Sequence, residues 1–139
     1  MMRSEGGAGL RLTAGGASLL AGAVLADSAI EHYRGSFHNP AMIAPLLASS
    51  VNLAVGAVRS AGGQLPRFLS LGSGTVAITV GAAGLGFHAY DILSRPGRLS
   101  FNNLFYAAPV GAPAALLLSG TLLLLATSSH DRFAGGEAG

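Results

Sequence analysis

The sequence predicts an all-α membrane protein in which four transmembrane helices form two similar helical hairpins. Three observations predict this fold class. Half of the 139 residues are apolar and only 10% are charged, whereas ordinary soluble domains carry roughly 25% charged residues. The apolar residues gather into four long segments, and the residues that begin the second segment recur at the start of the fourth. Because a lipid-facing surface needs no charge, the shortage of charged side chains favours a membrane domain.

Four segments with almost no charged residues define the predicted helices. Each is about as long as the ~20 residues that cross the ~30 Å hydrocarbon core of a bilayer. The segments are Leu12–Ile30, Ala41–Val58, Phe68–Tyr90 and Leu104–Thr127. The predicted organisation is an amino-terminal segment 1–11, a transmembrane domain 12–127 with hairpins 12–58 and 68–127, and a tail 128–139.

The first segment also fits a secretory signal peptide. Arg3 and Arg11 flank the start of its apolar run, and the small residues of "AGAVLA" are typical of a cleavage region. The duplication described below favours an uncleaved helix, because the duplicated unit uses this segment as a structural element.

The distribution of arginines predicts the orientation of the chain. The amino end, the middle loop and the tail hold five arginines, and the other two loops hold three. Because positively charged loops favour the cytoplasm, we predict both termini on the cytoplasmic side of the inner membrane. The polar stretch "HYRGSFHNPAMIAP" (32–45) then lies at the outer face.

A short motif occurs twice in the chain. "SFHNPAMIAP" (36–45) aligns without a gap with "SFNNLFYAAP" (100–109), at an offset of 64 residues. The recurrence of Phe, Asn and Pro, which are not the common residues here, indicates an internal duplication of a helical hairpin. Two spans per unit give both copies the same orientation, so we expect a pseudo-two-fold axis along the membrane normal. A second register pairs His32 with His88 at equal depth on the first and third helices.

Small residues at four-residue spacing predict how the helices pack, because helices in lipid associate by close approach of their backbones. Asn52 lies on one of these stripes and is able to form a hydrogen bond across helices. Prolines early in the second and fourth spans are expected to kink them. The stripes are Ala14, Ser18, Gly22 and Ala26; Ala48, Asn52, Gly56 and Ser60; Ser73, Ala77 and Gly81; and Ala107, Gly111, Ala115 and Ser119, and the prolines are Pro45, Pro109 and Pro113.

A polar cluster is predicted at the outer face. Asp27 falls about one turn inside the membrane boundary, where a carboxylate normally faces the bundle interior with a partner. It shares a helix face with Glu31 and Arg34, as Asp91 does with Arg95. We predict that these acids and arginines pair and fasten the outer end of the bundle. The whole cluster comprises Asp27, Glu31, Arg34, His38, Asn39, Asp91, Arg95, Arg98 and Asn103.

Helix-boundary signals account for much of this polar stretch. Asn39 and Asn103 precede the second and fourth spans, and asparagine caps exposed helix amides well. Pro40 fits the first position of a helix. Gly35 is expected to end the first helix.

His32 and His88 are the candidate cofactor ligands. Two histidines at equal depth on symmetry-related helices are able to ligate one b-type haem from both faces. The preferred interpretation is structural: the rings bond to Asp27 or to loop carbonyls, and no cofactor is expected. The arginines available for haem propionates are Arg34, Arg95 and Arg98.

Other chemistries have weaker support in the sequence. His38 joining the other two histidines in a metal site is one alternative, although no metal is expected. The chain has no Cys and no HExxH motif, so zinc catalysis is disfavoured. No basic run or stacking platform indicates a nucleic-acid partner.

The stretch "EHYRGSFHNP" (31–40), followed by "GFHAYD" (86–91), a Pro-Gly loop and an Asn…AP…AP fourth helix, resembles a group of small bacterial four-helix membrane proteins. The likeness covers about residues 25 to 120. The group has no assigned function, so the resemblance implies a multi-pass bacterial membrane protein and no substrate. It also implies ordered roles for Glu31, His32, Arg34, His38, Asn39, His88 and Asn103.

The predicted function is non-enzymatic. We expect a small accessory or anchoring subunit of a membrane complex, whose partners are the lipid bilayer and other subunits or copies of itself. One alternative is electron transfer through a b-type haem held by His32 and His88. Another is a small proton-linked carrier that uses Asp27.

Overall fold

The structure is a computed structural model that describes residues 2–107 and 110–135, with side chains described for 6–105 and 110–128. Four long helices account for most of the chain, and the described residues contain no strand. A 3-10 turn, Pro40–Met42, and a π-helical turn, Asn103–Ala107, lie in the two longer connections. The helices are α1 Met2–Arg34, α2 Ile43–Ser60, α3 Arg67–Ser94 and α4 Gly111–Gly135.

The four helices form a bundle in which helices that follow one another in the sequence pack side by side. Hairpin α1–α2 and hairpin α3–α4 are each closely packed, and α1 also packs extensively on α4. α2 and α3 meet less extensively, and α1 and α3 lie diagonally opposite without an extensive interface. The all-α prediction is confirmed. A two-fold axis relating hairpin α1–α2 to hairpin α3–α4 would make the α1–α4 and α2–α3 interfaces equivalent. The two interfaces differ in extent, so the structure does not confirm the duplication, which stays a prediction.

Two ends of the bundle are distinguished by their connections. The two-loop end carries residues 35–42, 95–107 and 110, and the one-loop end carries residues 61–66.

The interior of the bundle is rich in small and polar side chains, joined by a few large apolar ones such as Leu116 and Leu123, whereas many large apolar side chains lie on its outer surface. Asn52 and Ser119 are fully buried, while Leu12 and Leu19 are each 78% exposed. Exposed large apolar side chains occur on all four helices, and an apolar surface of this extent is rare on soluble monomers. All four helices contain stretches long and apolar enough to cross a membrane.

Close backbone approach between α3 and α4 depends on glycine. A Cβ added to Gly81 would lie 2.6 Å from the Leu117 amide nitrogen, and one added to Gly120 would lie 2.5 Å from the Gly74 carbonyl oxygen. The predicted stripe Ser73, Ala77 and Gly81 is buried along this seam. Ala48, Asn52 and Gly56 of another predicted stripe are buried in α2.

The other stripes are buried in part. On α1, Ala14 and Ser18 are buried but Ala26 is exposed. On α4, Ser119 is buried but Gly111 is exposed. The side chain of Ala107 lies outside the described residues.

Several helix boundaries differ from the predicted spans. α1 begins at Met2 rather than near Leu12, and α4 begins at Gly111 because residues 103–107 form the π turn instead. Pro45 and Pro113 are each the third residue of their helix. First-turn amides have no intrahelical partner, so the expected reason for a kink is missing at both prolines. Pro109 lies outside the described residues.

Candidate functional site

Polar side chains at the centre of the bundle form one hydrogen-bond network that joins all four helices, called the central network below. Asn52 Nδ2 donates to Ser119 Oγ over 2.6 Å, and Ser73 Oγ donates to Asn52 Oδ1 over 2.9 Å. Ser119 Oγ in turn donates to the Ala17 carbonyl oxygen over 2.7 Å. The prediction that Asn52 bonds across helices is confirmed.

The buried polar side chains of the central network all have hydrogen-bond partners within it. Each hydroxyl donates one bond, and both ends of the Asn52 amide are used. A buried polar group without a partner costs about 1–3 kcal/mol, so a change of register that separated these groups would be penalised. Ser73 and Ser119 lie on the predicted small-residue stripes, and the polar members of those stripes were the signal that could have identified them.

A second bond strengthens the α1–α2 hairpin next to this network. Ser18 Oγ donates to the Leu53 carbonyl oxygen over 2.9 Å. A Cβ added to Gly56 would lie 3.0 Å from the Ser18 Cβ, so the two helices are almost in backbone contact there.

At the two-loop end, His32 joins the end of α1 to the start of α2. Its Nδ1 lies 2.7 Å from the Met42 carbonyl oxygen, which makes Nδ1 the donor of this hydrogen bond. Its ring also meets Phe37 edge to face, with centroids 6.2 Å apart. The bond to a loop carbonyl matches the structural role predicted for His32.

The turn that follows α1 is closed by His38 and Asn39. His38 Nδ1 lies 3.0 Å from the Gly35 carbonyl oxygen, and Asn39 Oδ1 accepts from the Ala41 amide over 2.9 Å. Asn39 therefore caps the 3-10 turn, as its sequence position predicted. α1 ends at Arg34, directly before Gly35, as predicted, and the left-handed backbone of the turn occurs at Ser36 (φ 57°) and Phe37 (φ 46°).

Ion pairs at the two-loop end stay within single helices. Arg34 Nη1 lies 3.0 Å from Glu31 Oε1, and Arg95 Nη2 lies 2.8 Å from Asp91 Oδ2. Both pairs are substantially exposed, and exposed pairs contribute roughly 0–1 kcal/mol each. Neither pair fastens one hairpin to the other.

Asp27 does not face the bundle interior. Its residue is exposed, one position along α1 from the buried Ser28. Among the described side chains, none forms a hydrogen bond or an ion pair with it. The expectation of an inward carboxylate was wrong, because the buried stripe of α1 passes through Val24 and Ser28 instead.

Asn103 organises the second connection rather than capping α4. Its Nδ2 donates to the carbonyl oxygens of Pro96 (3.0 Å) and Arg98 (2.9 Å). These bonds close a tight loop in which Gly97 (φ 80°) and Arg98 (φ 37°) adopt left-handed backbone conformations. Asn39 and Asn103 therefore have different structural roles, although the sequence repeat aligns them.

His88 differs from the other histidines. Its Nδ1 is buried and has no hydrogen-bond partner among the described residues. The ring lies on the face of α3 that carries Gly81 and Gly84, which contact Pro113 of α4. The predicted bond from His88 to Asp27 or to a loop carbonyl does not form through Nδ1.

The two candidate haem ligands lie on α1 and α3, the helices that stand on a diagonal of the bundle. Within the described residues, no three His, Cys, Asp or Glu side chains are grouped so as to hold a metal ion. Haem ligation by His32 and His88 stays a prediction. The absorption spectrum of the purified protein tests it.

The one-loop end is positively charged among the described side chains. Arg59 Nε donates to Ser70 Oγ over 2.6 Å, and Arg11 Nη2 donates to the Ala61 carbonyl oxygen over 3.3 Å. Arg67 begins α3 at the same end. All the acidic side chains that the structure describes belong to the two-loop end, namely Asp27, Glu31 and Asp91.

A groove of about 550 Å³ runs along the outer seam between α2 and α3. Leu47 and Val51 of α2 line one wall, and Phe68, Gly72 and Val76 of α3 line the other. Its lining is almost wholly apolar apart from Ser73 of the central network, and it opens outward. This groove is the feature that makes the α2–α3 interface less extensive than the α1–α4 interface.

Comparison with known proteins assigns no relative: no family model, curated protein or solved structure matches the chain. The resemblance of "EHYRGSFHNP" (31–40) to a group of bacterial membrane proteins therefore stays a prediction.

Replacing His88 and replacing His32 are expected to change the free energy of unfolding in opposite directions. His88→Leu removes a buried unpaired nitrogen and is expected to raise the free energy of unfolding by about 1 kcal/mol. His32→Leu removes the bond to the Met42 carbonyl and is expected to lower it by about 1 kcal/mol. Unfolding in mixed detergent micelles, followed by circular dichroism, measures both. A loss of stability in His88→Leu would show that its ring has a stabilising partner.

Proposed function

We propose that this chain is a multi-pass membrane protein that serves as a non-enzymatic accessory or anchoring subunit of a membrane complex. The observation that carries the membrane part is the apolar outer surface, in which leucines and phenylalanines are exposed around a core that buries small and polar side chains beside a few large apolar ones. Exposed apolar surface on this scale marks contact with a membrane or a protein.

The use of the polar groups supports the accessory part of the proposal. The central network bonds Asn52, Ser73 and Ser119 to one another and to α1. At the two-loop end, His32, His38 and Asn39 bond to backbone groups of their own connection. These groups hold helices and turns together, which is what an anchoring subunit requires of them.

Blue-native electrophoresis of gently solubilised native membranes tests the proposal. The chain, detected by a carboxyl-terminal epitope tag, is expected to migrate in an assembly far larger than the purified 13.8 kDa protein in the same detergent. Migration at the position of the purified protein would contradict a stable subunit role. If the purified protein itself runs as the large species, the assembly is a homo-oligomer.

The proposed location is the inner membrane with both termini in the cytoplasm. The chain lacks Cys, so single cysteines report accessibility without a background. Leu99→Cys, 68% exposed in the wild-type residue, is expected to react with an impermeant maleimide in cells with a permeabilised outer membrane. Gln64→Cys, in the 61–66 connection, is expected to react only after the inner membrane is opened. The reverse pattern would place the termini outside.

A further inference from the structure

We propose that the α2–α3 groove is a binding site for one anionic phospholipid, whose acyl chain lies in the groove and whose headgroup meets the arginines at the one-loop end. This proposal rests on the proposed membrane location of the chain, concerns a ligand of the chain itself and does not depend on a protein partner.

The dimensions of the groove match an acyl chain better than a protein helix. On α3 it extends from Phe68 to Val80, twelve positions that span about 18 Å of helix at 1.5 Å per residue. One leaflet contributes half of the ~30 Å hydrocarbon core, so the groove is about one leaflet deep. A partner transmembrane helix would cross the full ~30 Å and would extend well beyond the groove.

The chemistry of the groove fits a hydrocarbon chain. Its wall residues Leu47, Val51 and Val76 are 52–63% exposed, so the groove is open from the side that lipid occupies. Gly72 has no atom within 4 Å of an added Cβ, which leaves space where a side chain would otherwise fill the groove.

The charge at its one-loop mouth selects the headgroup. Phe68 and Leu69 line that end of the groove, directly after Arg67 and directly before Ser70. Arg59 reaches from α2 to Ser70, with Nε 2.6 Å from Oγ. Arg59 therefore reaches the mouth of the groove, and Arg67 directly precedes the mouth on α3. Basic residues between transmembrane helices attract anionic headgroups.

A tryptophan reporter tests the site, because the chain contains no Trp. Phe68→Trp places the reporter at the groove mouth, and Phe87→Trp, on an equally exposed position of α3, is the matched control. Both proteins are reconstituted in phosphatidylcholine vesicles that contain chain-brominated phosphatidylglycerol or chain-brominated phosphatidylcholine. Bromine quenches tryptophan on contact, so the quenching ratio reports lipid preference at each position.

Phosphatidylglycerol is expected to be preferred at Phe68→Trp by about fivefold or more, since each arginine near the surface contributes about a fivefold preference for anionic lipid. No preference is expected at Phe87→Trp. Adding Arg59→Gln to Phe68→Trp is expected to reduce the preference about fivefold, whereas adding Arg98→Gln at the two-loop end leaves it unchanged. Equal quenching by the two lipids at Phe68→Trp would overturn the proposal.

A variant that fills the groove distinguishes lipid binding in the groove from a general accumulation of anionic lipid around the arginines. Gly72→Leu in the Phe68→Trp background leaves every arginine in place and is expected to abolish the preference. Gly86→Leu is the control, because an added Cβ at Gly86 also meets no atom within 4 Å and the position does not line the groove. A preference that survives Gly72→Leu would mean that the arginines attract lipid without the groove.

Discussion

Gly120→Ala is expected to lower the free energy of unfolding by about 2 kcal/mol, in the range for overpacking a tight interface. The new Cβ would lie 2.5 Å from the Gly74 carbonyl oxygen and 2.9 Å from the Ile78 amide nitrogen. Because both atoms belong to the backbone of α3, no side-chain rotation relieves the contact. The two helices must separate, and the whole α3–α4 seam loses its close contact.

Gly81→Ala provides an independent test of the same seam. Its Cβ would lie 2.6 Å from the Leu117 amide nitrogen and 2.8 Å from the Pro113 carbonyl oxygen, so a similar loss is expected. Gly86→Ala is the matched control on α3, where the added methyl group meets open space. That variant should be neutral or slightly stabilised, because alanine forms helix better than glycine. Equal stability of Gly120→Ala and Gly86→Ala in mixed-micelle unfolding would contradict the close approach.

The helical content of this fold was readable from hydropathy, whereas the ends of the helices were not. Long apolar segments in a chain with few charges predict helices, since only helices satisfy their backbone groups in lipid without a partner strand. The π turn at Asn103–Ala107 overlaps the start of the predicted fourth span, and its composition resembles that of the helix. What distinguishes the π turn from the helix is the pair of bonds from Asn103 to Pro96 and Arg98. Both acceptors lie in the preceding loop.

Site residues whose partners are close in the sequence were predictable, and those whose partners lie on other helices were not. Asn39 caps its own turn, and Arg95 pairs with Asp91 one helical turn away, so spacing alone identifies both. The partners of Asn52 come from α3 and α4, and the sequence does not state the register between helices. The α2–α3 groove is a space rather than a residue pattern, and sequence spacing carries no signal for it.

For Asp27, the depth in the membrane was predicted without knowledge of which face of α1 is buried. Its position along α1 predicted an inward carboxylate, but one residue of helix is a rotation of about 100°, and Ser28 occupies the buried direction instead. The carrier alternative, which used Asp27 as its proton-binding group, therefore gains no support from an enclosed carboxylate.

Asn52→Leu is expected to lower the free energy of unfolding by about 1–3 kcal/mol, from two interhelical hydrogen bonds in a membrane protein. Leucine has the same branched shape as asparagine and is larger, so the change removes the bonds without opening a cavity. Ser73 then lacks its acceptor and Ser119 lacks its donor, although Ser119 keeps its bond to the Ala17 carbonyl. Asn102→Leu, at an exposed position of the two-loop end, is the control and should change stability little.

Asn52→Asp tests the direction of the bonds in the central network. The Ser119 hydroxyl already donates to the Ala17 carbonyl, so a carboxylate in place of the Asn52 amide would set oxygen against oxygen. A protonated carboxyl would restore a donor to Ser119. Burial also disfavours the charged form. The folded protein therefore prefers the protonated side chain, and its stability is present in acid and lost as the pH rises.

The expected result is an Asn52→Asp protein that is nearly as stable as the wild type in acid and clearly less stable at neutral pH. Asn102→Asp should show no such loss, because its carboxylate stays in water. Unfolding curves recorded at both pH values on the three proteins measure the difference. A pH-independent Asn52→Asp protein would mean that the hydroxyl of Ser119 is able to turn toward residue 52, and that the order of donors from Asn52 through Ser119 to Ala17 is not what holds the four helices in register.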